Sequence, residues 1–363
     1  MKSTINFKKF LKAEFLILTL LSSFLISCSE QTDEPENKDE NEVYPGYTLI
    51  WNDEFTGATL DLSKWNYETG TGVNGDFGTG QLDCATSRTE NVSIQQGFNN
   101  AEGGCLVITT RKETYGGRSY TSGRINSSAK GKWGIGHRIE ARIWARDVLY
   151  KGQGFAFWMM PGDIPAGYNY IMWPQGGEID IMEYVGSIPY HNLGSAHYAW
   201  RWENNQWREG NHGHQGGYYN YSLKEVPISN PQYGGYPPAP GDENAGSSGF
   251  HIYGIEWFAD RMEFYIDGIV YHIHYFNDGA GFDAGIADGQ DEANNRTING
   301  KRVHISEYSN HFNEWKPFEN NFYIILSAGV GGDDNRTYGG AIVPEAVFPC
   351  SVIIDWVRVY KKS

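Results

Sequence analysis

The stretch WPQGGEIDIMEYVG, residues 173–186, places three carboxylates within six residues: Glu178, Asp180 and Glu183. In a regular strand alternate side chains face opposite sides, so Glu183 would lie among isoleucines, away from the other two acids. A β-bulge at 181–182 adds one residue and returns all three acids to one face. The stretch therefore predicts a bulged strand with one acidic and one apolar face.

Short alternations of apolar and polar residues recur along the rest of the chain. A period of two is typical of half-buried strands, and no stretch has the i, i+3, i+4, i+7 stripe of an amphipathic helix. The predicted strands are 106–110, 121–126, 137–143, 154–160, 177–184, 250–258, 261–266, 322–330 and 352–360. Asp267-Gly268 supplies the positive-φ positions of a tight hairpin turn. The pattern predicts an all-β sandwich with few, short helices.

Two stretches lack this alternation, 200–248 and 277–315, and both are rich in Gly and Asn. Loops of this length are uncommon in a compact domain and are usually functional. We therefore expect both stretches to be long loops that form the walls of a cleft.

The composition narrows the class of ligand. The 363 residues have a formal net charge of −15, and 15% are aromatic, with 12 Trp and 24 Tyr. No nucleic-acid partner is expected, because phosphate binding needs a basic face. Aromatic rings on an acidic chain suit the flat apolar faces of a neutral sugar, so the composition favours a carbohydrate ligand.

The N-terminus has the pattern of a targeting segment. Four lysines precede an apolar run at 15–26, which is shorter than the ~20 residues of a membrane span and fits a signal peptide over residues 1–27. The run ends in Leu25-Ile26-Ser27-Cys28, which resembles the lipobox of bacterial lipoproteins, where the cysteine is acylated. The alternative is an ordinary secretory signal followed by a chance cysteine.

Residues 28–46 are acidic and nearly free of apolar groups, so we expect the lipidated Cys28 and a flexible linker there. The acidic stretch resembles the surface-export signal of Bacteroidetes lipoproteins. This predicts lipid anchoring to the outer membrane and exposure at the cell surface, with a folded domain over 47–363.

Three further cysteines remain, Cys84, Cys105 and Cys350. An odd number allows at most one disulfide, and the pairing cannot be deduced from the sequence. A Cys84–Cys105 bond would close a short loop; the alternative is three buried free thiols.

Three carboxylates on one face repel each other, so a purely structural role is a poor explanation unless they bind a cation or spread over a solvated surface. Paired carboxylates cleave glycosidic bonds, at about 5–5.5 Å separation in retaining enzymes and about 6.5–9.5 Å in inverting ones. Four effective steps separate Glu178 from Glu183 along the bulged strand, roughly 13 Å of backbone at ~3.3 Å per residue. Spacing alone leaves both mechanisms open.

The motif Glu-Ile-Asp-Ile-Met-Glu, preceded by Trp-Pro and followed by Tyr-Val-Gly, resembles the signature of glycoside hydrolase family 16, in its bulged laminarinase-like branch. Six other segments resemble the family in the same order along the chain. They are 51–55, 120–126, 137–142, 155–161, 250–257 and 355–360. The resemblance covers about 47–363 and implies a β-jelly-roll sandwich of two antiparallel sheets with a concave substrate cleft.

The resemblance also implies roles for individual residues in a retaining reaction. Glu178 would be the nucleophile, Glu183 the general acid/base, and Asp180 the assisting acid between them. Trp158 and Trp173 would lie in the cleft; the alternative for each is a core residue, and it carries more weight for Trp158.

A third substrate-binding position, His197 in Gly194-Ser-Ala-His197, is also implied by the family. Many members hold a structural Ca²⁺ on the side away from the cleft. The matching positions are Glu54, Gly103 or Gly104, and Asp355, and the alternative is that these carboxylates have capping or turn roles. No cofactor is expected for catalysis.

The function that the resemblance implies is an endo-β-glucanase that cuts β-1,3 linkages in laminarin-type and mixed-linkage glucans. We expect the protein to be a monomer. One alternative is a galactan hydrolase of agarase or carrageenase type. A sulfated galactan would need a basic cleft, yet residues 200–248 carry only three Lys or Arg. The other alternative is a non-catalytic glycan-binding lipoprotein, which need not retain all three acids.

Overall fold

Nearly all regular structure in the described part of the chain is β-strand. The computed structural model describes residues 44–163, 173–174, 176–199, 202–203, 206–207, 212–232, 237–276, 294–307, 317–332 and 336–363. All of these residues belong to one compact unit, Glu40–Ser363. The described helical segments are two 3₁₀ turns, Val73–Gly75 and Pro317–Glu319, which agrees with the prediction of few, short helices.

The strands follow the predicted alternation closely. In chain order they are β1 Tyr47–Asp53, β2 Asn66–Tyr67, β3 Asp83–Ala85, β4 Val92–Gln95, β5 Cys105–Tyr115, β6 Arg118–Ser122, β7 Arg124–Asn126, β8 His137–Trp144, β9 Gln153–Pro161, β10 Glu178–Val185, β11 His191–Ala199, β12 Trp202–Glu203, β13 Gln206–Trp207, β14 His212–Asn220, β15 His251–Trp257, β16 Arg261–Ile266, β17 Ile269–Tyr275, β18 Asn295–Ile298, β19 Lys301–Glu307, β20 Phe322–Val330 and β21 Cys350–Lys362. Each predicted strand is present except 121–126, which is divided between the end of β6 and β7, in different sheets. The predicted hairpin joins β16 to β17, with φ of +51° at Asp267 and +76° at Gly268.

Two large sheets make up the sandwich. The described strands of one sheet, in spatial order, are β14-β11-β10-β9-β20-β7-β2; we call this the acid sheet because β10 carries the three acids. The other sheet runs β18-β19-β17-β16-β15-β8-β21-β5-β6-β3, with β1 on β21 and β4 on β5. The jelly-roll prediction of two sheets is confirmed. Pairing is antiparallel except between β3 and β6 and between β17 and β19, which are parallel.

The core lies between the sheets because each contributes one apolar face. Along β9 buried and partly exposed residues alternate without exception, as expected for a strand covered on one side. Phe157 and Ile179 of the acid sheet belong to the same buried cluster as Ile139 and Ile255 of the opposite sheet. The acid sheet is therefore left with one face that can line a cleft.

The prediction of long loops at 200–248 and 277–315 is wrong in part, because strands β12 to β14 and β18 to β19 lie within these stretches. β14 pairs with β11 over its whole length. A Cβ at Gly217 in β14 would lie 2.8 Å from Cβ of His272 and 3.2 Å from Cβ of His304. Where large side chains from the opposite sheet fill the space, the strand needs glycines, and the apolar alternation disappears from its sequence.

The three cysteines of the domain, Cys84, Cys105 and Cys350, are buried free thiols. The alternative without a disulfide is therefore the one found, and the Cys84–Cys105 bond is not formed. Among the described residues, no helix has the length and hydropathy that a membrane span requires.

Candidate active site

The bulge predicted in β10 is confirmed. Between Asp180 and Met182 the register against β9 shifts by one residue, which makes Ile181 the extra residue. The register against β11 shifts over the same part of the strand. Ile181 and Met182 are both buried, and Glu183 returns to the face that Asp180 occupies.

A glycine fixes the start of this strand. Gly177 has a φ of +88°, and a Cβ there would lie 2.8 Å from the side chain of Pro317 and 3.0 Å from that of Phe322. Both the left-handed backbone and the close packing favour glycine at this position. Gly177 thus sets the point at which Glu178 enters the sheet.

Glu178 lies among three residues that the sequence analysis singled out. The indole Nε1 of Trp173 donates to Oε2 of Glu178 over 2.8 Å. Across the strands Glu178 pairs with His197, whose Nε2 lies 3.2 Å from Oδ2 of Asp180. The structure therefore brings Trp173, Glu178, Asp180 and His197 together at one end of β10.

A serine missed by the sequence analysis connects two of the acids. Ser195 of β11 pairs with Asp180, and its Oγ lies 2.9 Å from Oδ2 of Asp180 and 3.3 Å from Oε2 of Glu183. The residue is fully buried. The sequence could have indicated Ser195 through its position two residues before His197, because alternate residues of one strand share a face.

The surroundings of the two glutamates raise both pKa values, but different neighbours act to lower each of them. Burial and the charge of Asp180 raise the pKa of Glu178 to about 8, while His197 and the Trp173 N–H lower it. Burial and the charges of Asp180 and Glu178 raise the pKa of Glu183 well above its usual range. Since only Glu178 has the imidazole and the indole donor, the first proton leaves Glu178 and Glu183 stays protonated.

Trp158 lies on the same face of the acid sheet as Asp180 rather than in the core. It pairs with Asp180 across the strands, is partly exposed, and donates from Nε1 to Oγ of Ser327 over 3.0 Å. The guanidinium carbon of Arg124 lies 4.9 Å from its ring centroid. The indole is therefore held next to the acids by groups on the neighbouring strands.

Arg124 is a second residue missed by the sequence analysis. Its guanidinium lies between the rings of Trp158 and Phe77, 4.9 Å from each centroid. Its Nε lies 2.8 Å from Oε2 of Glu68. The predicted strand 121–126 contains Arg124, but only the pairing of β7 with β20, and of β20 with β9, brings its side chain to Trp158.

Comparison with known proteins shows which family the chain belongs to. No family model matches the chain. Over 345 residues, 94% of this chain and 93% of the relative, it is 30% identical to a beta-glucanase of Rhodothermus marinus. The chain belongs to glycoside hydrolase family 16. A mutant of a non-specific endo-β-1,3(4)-glucanase of that family has a solved structure with a TM-score of 0.59 and 27% identity, covering 88% of this chain and 96% of the other.

A further relative of this family 16 hydrolase is a longer protein. The chain is 28% identical over 92% of its length to a glucan endo-1,3-beta-glucosidase A1 of Niallia circulans, and it spans 41% of the length of that protein.

The residues predicted to bind Ca²⁺ in the family 16 hydrolase do not fit the ion. The carboxylate of Glu54 accepts two hydrogen bonds from Arg358, at 2.9 and 2.8 Å. Asp355 is buried and pairs with Arg142. Gly103 lies beside Glu54. Both carboxylates are thus neutralised by arginines, whereas a calcium site needs its oxygens free for the ion.

One group of three side chains in the described part of the chain could offer ligand atoms to a metal: Glu178, Asp180 and His197, whose atoms lie within 4.8 Å of one another. The contacts above already engage these atoms with each other, with Trp173 and with Ser195. We therefore assign no metal ligands here.

Proposed function

We propose that the protein is a retaining endo-β-1,3-glucanase that hydrolyses laminarin-type glucans and also mixed-linkage β-1,3/1,4-glucans. The observation that carries the proposal is the row of Glu178, Asp180 and Glu183 on one face of the acid sheet, where Ser195 is within hydrogen-bond distance of the last two and Trp173 donates to the first. The names of the relatives support the substrate class: one is an endo-1,3-beta-glucosidase. The family 16 glucanase mutant presents a 1,3-β-D-cellobiosyl-glucose at its active site.

In the proposed reaction the Glu178 carboxylate attacks the anomeric carbon. The glycosidic C–O bond breaks, and its oxygen takes the proton of Glu183. The Glu183 carboxylate then removes a proton from water, whose oxygen attacks the same carbon and releases Glu178. Two inversions return the β configuration.

The aromatic residues supply binding surface for the neutral sugar. Trp173 is 51% exposed while its N–H is bonded to Glu178, so its ring is available to a sugar face next to the nucleophile. Trp158 presents a second indole on the other side of Asp180. We propose that both rings, with His197, bind the sugars on either side of the cleaved bond.

The two alternatives to a β-glucanase are a galactan hydrolase and a glycan-binding protein, and an assay on several polysaccharides distinguishes them. The raised pKa of Glu183 is costly for a protein that only binds, because it reflects a buried carboxylate beside two others. This disfavours the binding alternative. Reducing-end release should be measured on laminarin, barley glucan, lichenan, agarose and carrageenan, and we expect the first three to be cleaved.

Azide rescue tests the assigned roles. Glu178→Ala should lose turnover. Glu183→Ala should still be glycosylated by an aryl glycoside with a good leaving group, then stall for want of a base until azide is added. The product should be a β-glycosyl azide; an α-azide would contradict the retaining mechanism.

We propose in addition that the hydrolase is a monomer lipidated at Cys28 and anchored to the outer membrane, exposed at the cell surface. Residues 1–43, with Cys28, lie outside the described residues, so this rests on the sequence pattern. Incorporation of labelled palmitate into the wild type and its loss in Cys28→Ser would test the anchor, and light scattering the monomer. Calcium is not part of the proposal, because arginines pair with Glu54 and Asp355.

A further inference from the structure

Ser195 reaches two carboxylates with a single hydrogen. A serine hydroxyl has one O–H donor and two acceptor lone pairs, so at any moment it can donate to Asp180 or to Glu183. The shorter contact is to Asp180, 2.9 Å against 3.3 Å. Both lengths are within reach of a rotating hydroxyl without movement of its oxygen.

We infer that Ser195 is a positioning residue for the acid/base, and that its hydrogen bond moves from Asp180 to Glu183 when Glu183 gives up its proton. This inference rests on the proposed function. While Glu183 is protonated, the hydroxyl donates to the Asp180 carboxylate. Once the glycosidic oxygen has taken that proton, the hydroxyl turns and donates to the new Glu183 carboxylate.

The exchange leaves the atoms of the reaction balanced. The proton of Glu183 goes to the leaving sugar, and a proton from water replaces it in the second half-reaction. Ser195 keeps its own proton throughout, and only the acceptor of its hydrogen bond changes. The residue therefore stabilises the ionised Glu183 of the glycosyl-enzyme, which is the state that must act as a base.

The charges around Glu183 make such a donor necessary. Glu178 and Asp180 on β10 both disfavour its ionisation. On β11 the imidazole of His197 lies against Asp180 rather than against Glu183. On β17, burial and the charge of Glu183 both raise the pKa of the Tyr271 phenol.

On the other side of β10, β9 offers only Ala156 opposite Glu183. The hydrogen bond from Ser195 is the contact that lowers the pKa of Glu183.

The opposite sheet holds Ser195 in place. The backbone carbonyl of Gly194 lies 3.0 Å from Nδ1 of His272, whose Nε2 lies 2.8 Å from Oγ of Ser306. A Cβ at Gly194 would lie 2.2 Å from the Tyr271 hydroxyl. β11 is thus pressed against β17, and the Ser195 oxygen is fixed between the acids.

The test compares Ser195→Ala with Ser195→Thr, which keeps the hydroxyl. On laminarin, Ser195→Ala should lower kcat about 10- to 100-fold, the size of a lost hydrogen bond to a charged group, with KM within about twofold, because the loss falls on the chemical steps. Without the donor the pKa of Glu183 rises, so the alkaline limb of the kcat/KM profile should move to higher pH. Ser195→Thr should restore kcat and the limb.

A good leaving group gives a second readout. With an activated aryl β-glucoside, glycosylation needs no acid, so Ser195→Ala should accumulate the glycosyl-enzyme in a burst followed by slow turnover. If Ser195→Ala does not fold, as judged by its melting temperature, Ser195→Cys supplies a weak donor of similar size for the same measurements.

An unmoved alkaline limb in Ser195→Ala, or a Thr variant no better than Ala, would overturn the inference. Wild-type enzyme inactive on every glucan would instead remove the proposed function, so the two failures are distinguishable.

Discussion

The two glutamates have the same side chain and different neighbours, and this difference assigns their roles. Glu178 has an indole N–H at 2.8 Å and an imidazole across the strand. Glu183 has two negative neighbours and shares one hydroxyl with Asp180. Each role therefore depends on a few hydrogen-bond partners rather than on residue type.

Trp173→Phe should raise the pKa of Glu178, because the ring remains while the N–H donor is lost. The active form needs Glu178 ionised and Glu183 protonated, so kcat/KM rises with pH through the first pKa and falls through the second. We expect the acidic limb of the pH profile to move to higher pH. At the acidic end of the profile, kcat/KM on laminarin should fall roughly 10- to 100-fold. Trp158→Phe is the matched control, since its N–H binds Ser327; a limb that moves equally in both variants would contradict the assignment.

At the scale of the strand, one inserted residue decides which acids meet. The shift at Ile181 lets Glu183 share a face with Asp180 while Met182 and Ile179 remain in the core. A regular strand of the same residues would place Glu183 on the face of Ile179, toward the core, and Met182 on the face of Asp180.

Deleting Ile181 should remove the bulge and still leave the three acids on one face. The shortened strand alternates as Glu178-Ile179-Asp180-Met182-Glu183, so Glu183 stays on the side of Asp180 and Met182 on the side of Ile179. The deletion variant should therefore lose less activity than the about 100- to 10,000-fold that loss of a general acid costs, and Ile181→Val, which keeps the bulge, should match the wild type. Both variants should be assayed on laminarin and melted beside Glu183→Ala; a deletion variant as inactive as Glu183→Ala would contradict this expectation.

At the scale of the whole molecule, the sandwich contains buried histidines as well as apolar residues. His272, His274 and His304 are fully buried between strands. The Nδ1 of His274 lies 2.8 Å from Oγ of Ser306. Burial and the charge of His304 lower the pKa of His274 from 6.5 to about 3, so the folded protein keeps this imidazole neutral.

Acidification should destabilise the fold through His274. Its stability contribution is intact above pH 6.5, because both folded and unfolded states are then neutral. Below that pH only the unfolded chain binds the proton, so the free energy of unfolding falls by ~1.4 kcal/mol per pH unit until the folded pKa of about 3 is reached. Urea titrations at about pH 7 and about pH 5 should show a smaller loss in His274→Asn than in the wild type; equal losses would assign the effect to other groups.

EDTA should leave the melting temperature unchanged within about 1 °C, because Arg358 and Arg142 already neutralise the carboxylates at the predicted calcium position. Arg358→Gln serves as the comparison: it should melt lower, since Glu54 loses a two-point partner. If EDTA lowered the melting temperature and added calcium raised it again, a calcium site would be present after all.

The sequence by itself determined the features that depend on neighbours along the chain. Alternation of apolar residues gave the strands, Asp267-Gly268 gave the hairpin, and the order of Glu178, Asp180 and Glu183 required the bulge. Each of these follows from the period of a strand or the φ preference of a residue, which act over a few positions.

Only the tertiary structure decided which distant groups meet the acids. Ser195 reaches Glu183 because β11 pairs with β10, and Arg124 reaches Trp158 because β20 lies between their strands. The arginine partners of Glu54 and Asp355, and the strand β14 within an expected loop, likewise come from long-range pairing. Hydrogen bonds and ion pairs are fixed by distances in space, and a sequence pattern that repeats every two residues carries no information about which strands become neighbours.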